Sequence, residues 1–198
     1  MKPIVFVGTS SEGKQKYGPD FRLLMGNEVE VRFWSDNLFL LGSSALESLV
    51  TIRRQCDFAV LLFSGDDLLQ KRRTQARAPR DNLLLEFGLF CATLGRSRAF
   101  IVHNSEEQLS LPSDLAGITL ASFAYSGREH LSSALGLATD TILRRIREEW
   151  ASDAVRRLRA FDAGIAIAHL VTRAGLPDTM TFHYRSAFRE MLKDAFLR

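Results

Sequence analysis

A lone carboxylate in an apolar stretch is the group in this chain best suited to chemistry. Glu86 stands in Leu83-Leu84-Leu85-Glu86-Phe87-Gly88-Leu89-Phe90, where a charge is costly unless it is paired or opens onto a cleft. The pattern alone admits two readings: local pairing near a helix start, which the helix dipole favours, or an acid held against a ligand. Three polar segments offer such an acid company: Thr9-Ser10-Ser11, Trp34-Ser35-Asp36 and Ser64-Gly65-Asp66. Hydroxyls and free N–H groups suit phosphates, and a flat indole suits a base. Asp81 and Asn82 directly precede the apolar stretch and read as caps of its helix. Lys71-Arg72-Arg73, with Arg77 and Arg80 nearby, reads as a solvated loop or as a lure for a phosphate-bearing ligand.

Several classes are disfavoured. The chain has no G-x-G-x-x-G and no P-loop lysine motif, so neither a Rossmann dehydrogenase nor a P-loop NTPase is supported. Cys56 and Cys91 lie in apolar patterns without a C-x-x-C, and His103, His130, His169 and His183 are scattered. Reduced, buried thiols and no metal site are expected. The net charge is +3, and the surplus falls in residues 128–198, too small to argue for nucleic acid. No apolar run approaches the ~20 residues of a membrane span. The opening Met-Lys-Pro-Ile-Val-Phe-Val-Gly is too short in apolar residues for a signal peptide, so the cytoplasm is the expected compartment.

The elements that must position these residues follow from periodicity. Residues 3–7 and 57–63 are continuous apolar runs, as strands buried on both faces are. Residues 28–34, 98–102 and 117–123 complete five expected strands. Helices are expected within 13–25, interrupted by Gly18-Pro19, over 44–55 with a Ser44/Glu47 capping box, over 83–94 ending at Gly95, and over 129–149, 152–174 and 179–197. Residues 68–80 read as a long basic loop. With 198 residues and 46% hydrophobic content, the chain can bury one domain plus a short appendage. Alternating strands and helices predict an α/β fold: a five-stranded parallel sheet, helices on both faces, and a C-terminal helical extension. Ligands of such sheets bind at the carboxyl ends of the strands, where the three polar segments fall.

Several motifs in order then point to a family. Phe6-Val7-Gly8-Thr9-Ser10-Ser11-Glu12-Gly13, Trp34-Ser35-Asp36, Ala78-Pro79-Arg80-Asp81-Asn82 running into Leu83 to Phe90, and Leu111-Pro112-Ser113-Asp114-Leu115-Ala116-Gly117-Ile118 resemble the bacterial TIR-like nucleotide-binding family. The resemblance covers roughly residues 3–125. It implies a flavodoxin-like TIR domain over residues 1–126, with residues 127–198 as linker, oligomerisation or sensing helices. It further implies NAD⁺ glycohydrolase activity in anti-phage defence, with NAD⁺ as substrate and no separate cofactor. Self-association through TIR domains and activation by a cyclic-nucleotide signal through a sensor are implied as well. The family's catalytic glutamate falls on Glu86. Thr9, Ser10, Ser11 and Trp34 match positions lining the substrate cleft, and Phe39 falls in the loop that reaches a neighbouring molecule; Asp81 and Asn82 are further candidates for ligand contact. The departure from the family lies at Lys14 to Pro19, where an uninterrupted helix is usual.

The chemistry is coherent physically. Nicotinamide leaves NAD⁺ as a neutral molecule from a cationic ring, so no strong general acid is required. A carboxylate beside the ribosyl cation stabilises the developing charge, as in glycoside hydrolysis. Two alternatives compete: a non-catalytic scaffold working through TIR–TIR contacts, and an enzyme resembling nucleoside deoxyribosyltransferases. An acid amid leucines serves neither adaptor contacts nor packing, and nucleosides tested against NAD⁺ separate the two enzymes.

Overall fold

The computed structural model describes residues 2–36, 44–71, 74–115, 118, 120–127 and 130–173, with 69, 71, 74 and 154–173 described by backbone alone. Five strands, β1 (Ile4–Thr9), β2 (Glu30–Phe33), β3 (Phe58–Phe63), β6 (Ala99–Asn104) and β7 (Ala121–Phe123), form one sheet in the order β2-β1-β3-β6-β7. Every pairing in it is parallel. The central strands β1 and β3 are buried along nearly their whole length, which is why they lack the alternation of one-sided strands. The α/β fold with a five-stranded parallel sheet and accompanying helices is therefore as expected.

Side chains alternate across this sheet. Phe6, Ala59, Leu61, Phe63, Ala99 and Ile101 face a core completed by Leu49 and Ile52 of α2 (Ala45–Ile52) and by Leu83, Phe87 and Phe90 of α3 (Asp81–Leu94). Phe6 and Phe90 stack with centroids 4.6 Å apart. On the opposite face, α1 (Ser11–Met25) lays Tyr17 edge-on to Phe123, with centroids 5.3 Å apart, and sets Lys14 and Arg22 over Phe33. The long helix α4 (Leu131–Arg173) buries Leu135, Ala138, Ile142, Leu143 and Ile146, and its Arg147 pairs with Glu28 at 3.1 Å. The chain divides into two compact units, residues 1–147 and 148–198.

Three details differ from the sequence expectation. First, α1 is not broken by Gly18-Pro19: it starts directly after Ser10 and runs through Pro19 to Met25. An interior proline costs about 3 kcal/mol. Here Tyr17, Gly18, Phe21 and Met25 are buried and hold the helix, while Pro19 itself is exposed. Second, the basic loop contains a hairpin, β4 (Asp67–Lys71) with β5 (Thr74–Ala78), paired antiparallel from Asp67↔Ala78 to Lys71↔Thr74. Its polar residues hid it, because an outlying two-stranded ribbon does not need apolar alternation. Third, α4 continues through Ala151, Ser152 and Asp153 instead of splitting near residue 150. The helix expected over 179–197 lies outside the described residues.

The Ser44/Glu47 capping box is present. The Ser44 hydroxyl accepts the Glu47 N–H at 3.2 Å, and the Glu47 carboxylate accepts the Ser44 N–H at 2.8 Å. Cys56 is buried, its thiol pushed up to about 12 by desolvation, whereas Cys91 is only partly buried; both are free. Among the described residues no helix is long and apolar enough to cross a membrane.

Candidate active site

Leu83, Glu86, Phe87 and Phe90 lie three or four residues apart, on one stripe of α3. The three apolar members are buried against the sheet. Glu86 is therefore carried inward by the same face that builds the core, and it arrives at the carboxyl end of β1. There Gly8 makes room for it: a Cβ on Gly8 would sit 2.5 Å from Glu86 Oε2 and 2.4 Å from Leu61 Cδ1. Any side chain at this place would displace the tips of Glu86 and Leu61, so the glycine sets the acid's position by close approach rather than by backbone angle.

Desolvation raises the Glu86 carboxyl to about 7. No cation or donor offsets this: Oε2 is buried and has no hydrogen-bond partner among the described residues. Glu86 is half-buried, and an acid with one buried, unsatisfied oxygen is a costly thing to keep against a core; it is placed beside open space. A cavity of about 330 Å³ is lined by Thr9, Ser10, Ser11, Trp34, Asn82 and Glu86, together with Ala45, Leu46, Leu49, Arg80, Leu83 and Leu85. Its volume falls in the range of small-molecule sites.

Three helices begin at this cavity. Ser11 and Ala45 are the first residues of α1 and α2, and Asn82 is the second of α3. Their N-terminal N–H groups and dipole ends favour negative charge. Against them stand the carboxylate of Glu86 and an apolar rim, in which Leu46 and Leu85 are 51% and 58% exposed. The cavity thus offers a place for an anion, a surface for a flat ring, and one acid for a cationic centre.

The sequence candidates divide as follows. Thr9, Ser10, Ser11, Trp34, Asn82 and Glu86 share the one cavity. Ser10 is committed structurally as well: its hydroxyl caps α1 by accepting the Gly13 N–H at 2.9 Å, and it lies 3.3 Å from the Ser64 hydroxyl. Ser64 donates to Asp66 at 2.6 Å, so the turn after β3 buttresses the turn after β1. Asp81 is not a lining residue of this cavity; with Leu68 and Leu84 it borders a different one. Nor do Asp81 and Asn82 cap α3. The helix starts at Asp81, the cap position is Arg80, which makes no side-chain cap bond, and the Asp81 carboxylate accepts the neighbouring Asn82 N–H at 2.8 Å. A carboxylate inside the first turn serves the dipole without the cap geometry. Phe39 lies outside the described residues.

Sequence reasoning missed Gly8 as the notch for the acid, Arg80 as a cavity residue and the rim leucines. Arg80 had a signal, its adjacency to Asp81-Asn82, but it was masked by the basic cluster next to it.

The chain is similar in sequence to known proteins. The model of the family described as "CAP12/Pycsar effector protein, TIR domain" matches residues 4–125. The chain is similar to CD-NTase-associated protein 12 of Flavobacterium daejeonense, at 38% identity over 123 residues, 62% of this chain and 39% of that protein. It is 35% identical over 113 residues to Pycsar effector protein BcPycTIR of Burkholderia cepacia, covering 57% of this chain and 37% of that protein. With Pycsar effector protein XpPycTIR of Xanthomonas perforans it shares 41% identity over 92 residues, 46% of this chain and 30% of that one. The chain thus spans about two-fifths or less of the length of these curated relatives.

Proposed function

The chain belongs to the CAP12/Pycsar effector TIR-domain family, and from that premise we propose that it is an NAD⁺ glycohydrolase that cleaves the nicotinamide–ribose bond, with Glu86 as the catalytic residue. The observation that carries this reading is the unpartnered, desolvated carboxyl of Glu86 on the wall of a cavity onto which three helix N-termini open. In bound NAD⁺ the pyridinium stands near this carboxyl and favours its ionised form, opposing the desolvation that raised it. As the glycosidic bond breaks, the electron pair leaves with nicotinamide and positive charge spreads over the ribose. The carboxylate stabilises that charge, and water adds its oxygen to the anomeric carbon and gives up one proton to solvent. Preorganised charge of this kind is worth most where water is excluded.

The names of the relatives support a place in defence. They are called CD-NTase-associated proteins and Pycsar effectors, and we read this chain as the effector domain of an anti-phage system. A cyclic nucleotide made by a partner nucleotidyltransferase is its signal, and self-association of TIR domains is the switch. The scaffold alternative gives Glu86 nothing to do.

The test is nicotinamide release from NAD⁺ across protein concentrations, with and without cyclic nucleotides. Glu86→Gln and Glu86→Ala are expected to abolish release, by about 10²-fold or more, while circular dichroism stays unchanged. For the active protein, kcat/KM is expected to rise as pH passes about 7, where the free-enzyme carboxyl ionises. Full turnover by either variant, or no release under any condition, overturns the proposal.

A further inference from the structure

We propose that Arg80 binds the diphosphate of the nucleotide in this cleft, and that Glu12 is its built-in counter-ion, let go when the diphosphate arrives. This rests on the cavity being a dinucleotide site.

Arg80 lines the same cavity as Glu86. It stands at the cap position of α3, six residues before Glu86. At 1.5 Å per residue their backbones are about 9 Å apart along the helix, and both side chains line the one cavity. NAD⁺ carries positive charge on its pyridinium and negative charge on its diphosphate, with a ribose between. Glu86 and Arg80 present the opposite signs in the matching order.

The present partner of Arg80 is an exposed one. Its Nη2 donates to both Glu12 oxygens, at 2.9 and 3.0 Å, and the two side chains are 41% and 59% exposed. Ion pairs this accessible hold weakly. The Nε of Arg80 is buried and has no acceptor among the described residues. The guanidinium therefore has a donor to spare, and a diphosphate oxygen can take it while replacing the Glu12 carboxylate on Nη2. Arginine is suited to this two-pronged recognition of phosphate, with shorter and stronger charge-assisted bonds than a neutral donor makes. Glu12 lies in the first turn of α1 and Arg80 at the start of α3. Their pair thus spans two of the helix N-termini that open on the cavity, where the fields of both helices already favour the incoming anion over nothing. A carboxylate held there is a stand-in for the ligand's charge.

The test uses the full chain and calorimetric titration of ADP-ribose, which carries the diphosphate but no nicotinamide–ribose bond, beside nicotinamide riboside, which carries no phosphate. Arg80→Gln is expected to weaken ADP-ribose binding ten- to a hundredfold and to leave nicotinamide riboside unchanged, with Arg80→Lys in between. Glu12→Gln is expected to act in the opposite direction, tightening ADP-ribose severalfold, since the anchor no longer has to be freed. A brace that merely holds the fold would weaken in both variants, so the opposite sign decides even if Arg80→Gln folds poorly. Equal affinity in Arg80→Gln and the parent, weakening in Glu12→Gln, or no ADP-ribose binding by the parent overturns the proposal. Nicotinamide release from NAD⁺ is read separately. Arg80-dependent binding without release sinks the glycohydrolase assignment alone, and release indifferent to Arg80→Gln sinks this one alone.

Discussion

Two glutamates sit at the carboxyl edge of the sheet, and their surroundings are opposites. Glu107, in the turn that follows β6, accepts the Tyr17 hydroxyl at 2.7 Å, the Lys16 ammonium at 3.1 Å and the Gly65 N–H at 2.9 Å. Burial alone would raise its carboxyl, but these donors hold it below the usual range. Glu86 is desolvated without such donors and is lifted to about 7. The first acid ties α1 to the turn after β3. The second ties nothing, and it is the one on the cavity. A half-buried charge with all its partners is structure; a half-buried charge kept without them has been left available for something that arrives from outside.

The comparison breaks most visibly at Gly8. Gly8→Ala places a methyl where Glu86 Oε2 and Leu61 now lie, so the acid is pushed from its notch. Nicotinamide release is expected to fall by about 10²-fold, because displacements on the order of 1 Å cost that much in catalysis. Unchanged kinetics in a folded Gly8→Ala protein would show that the notch does not set the acid.

Glu107→Ala is expected to do the converse, costing stability first. It strips the acceptor from three donors and should lower unfolding free energy by about 2 kcal/mol, measured as a shifted urea midpoint. Because the folded-state carboxyl is held low, its contribution is present above the ordinary glutamate value. It is lost as pH falls through the folded-state value. The deficit of the variant should therefore shrink toward acid pH, and a deficit that grows there would contradict the ion-pair account.

The smallest effect has the reversed sign. Glu86→Gln should stabilise the protein at pH 8 by about 1 kcal/mol, bounded by the roughly 3 kcal/mol that a lift from 4.5 to about 7 represents. An acid raised in the folded state opposes folding once the pH exceeds its unfolded value. The gain should therefore fade as pH drops from about 7 toward 4.5. Melting curves at the two ends of that range read it directly. A loss of stability at pH 8 would mean that Glu86 has a partner worth keeping.

Much of this is legible in the sequence. Glu86 drew attention because its neighbours are leucines and phenylalanine, and the three polar segments drew it because each follows an apolar run. Family motifs then tied them together, and the structure places Thr9, Ser10, Ser11, Trp34 and Glu86 around one cavity. Glu107 gave no sign: Glu106-Glu107 in a polar loop looks like any solvated pair, and its donors come from residues 16, 17 and 65. Arg80 was counted with a basic loop that contains a hairpin. Pro19 has the local propensity of a helix breaker, and that propensity carries no information about what Tyr17 and Phe21 bury.

By itself the chain determined what local pattern can determine. Apolar runs set the strands of the sheet, the Ser44/Glu47 spacing set a capping box, and a 3.6-residue stripe carried Glu86 to the core side of its helix. Only the tertiary structure decided which polar groups are satisfied and which are not. That depends on what lies within about 3 Å from distant parts of the chain: a missing Cβ at Gly8 beneath one acid, three donors around the other. Periodicity is a property of neighbours in sequence, whereas desolvation and its compensation are properties of neighbours in space.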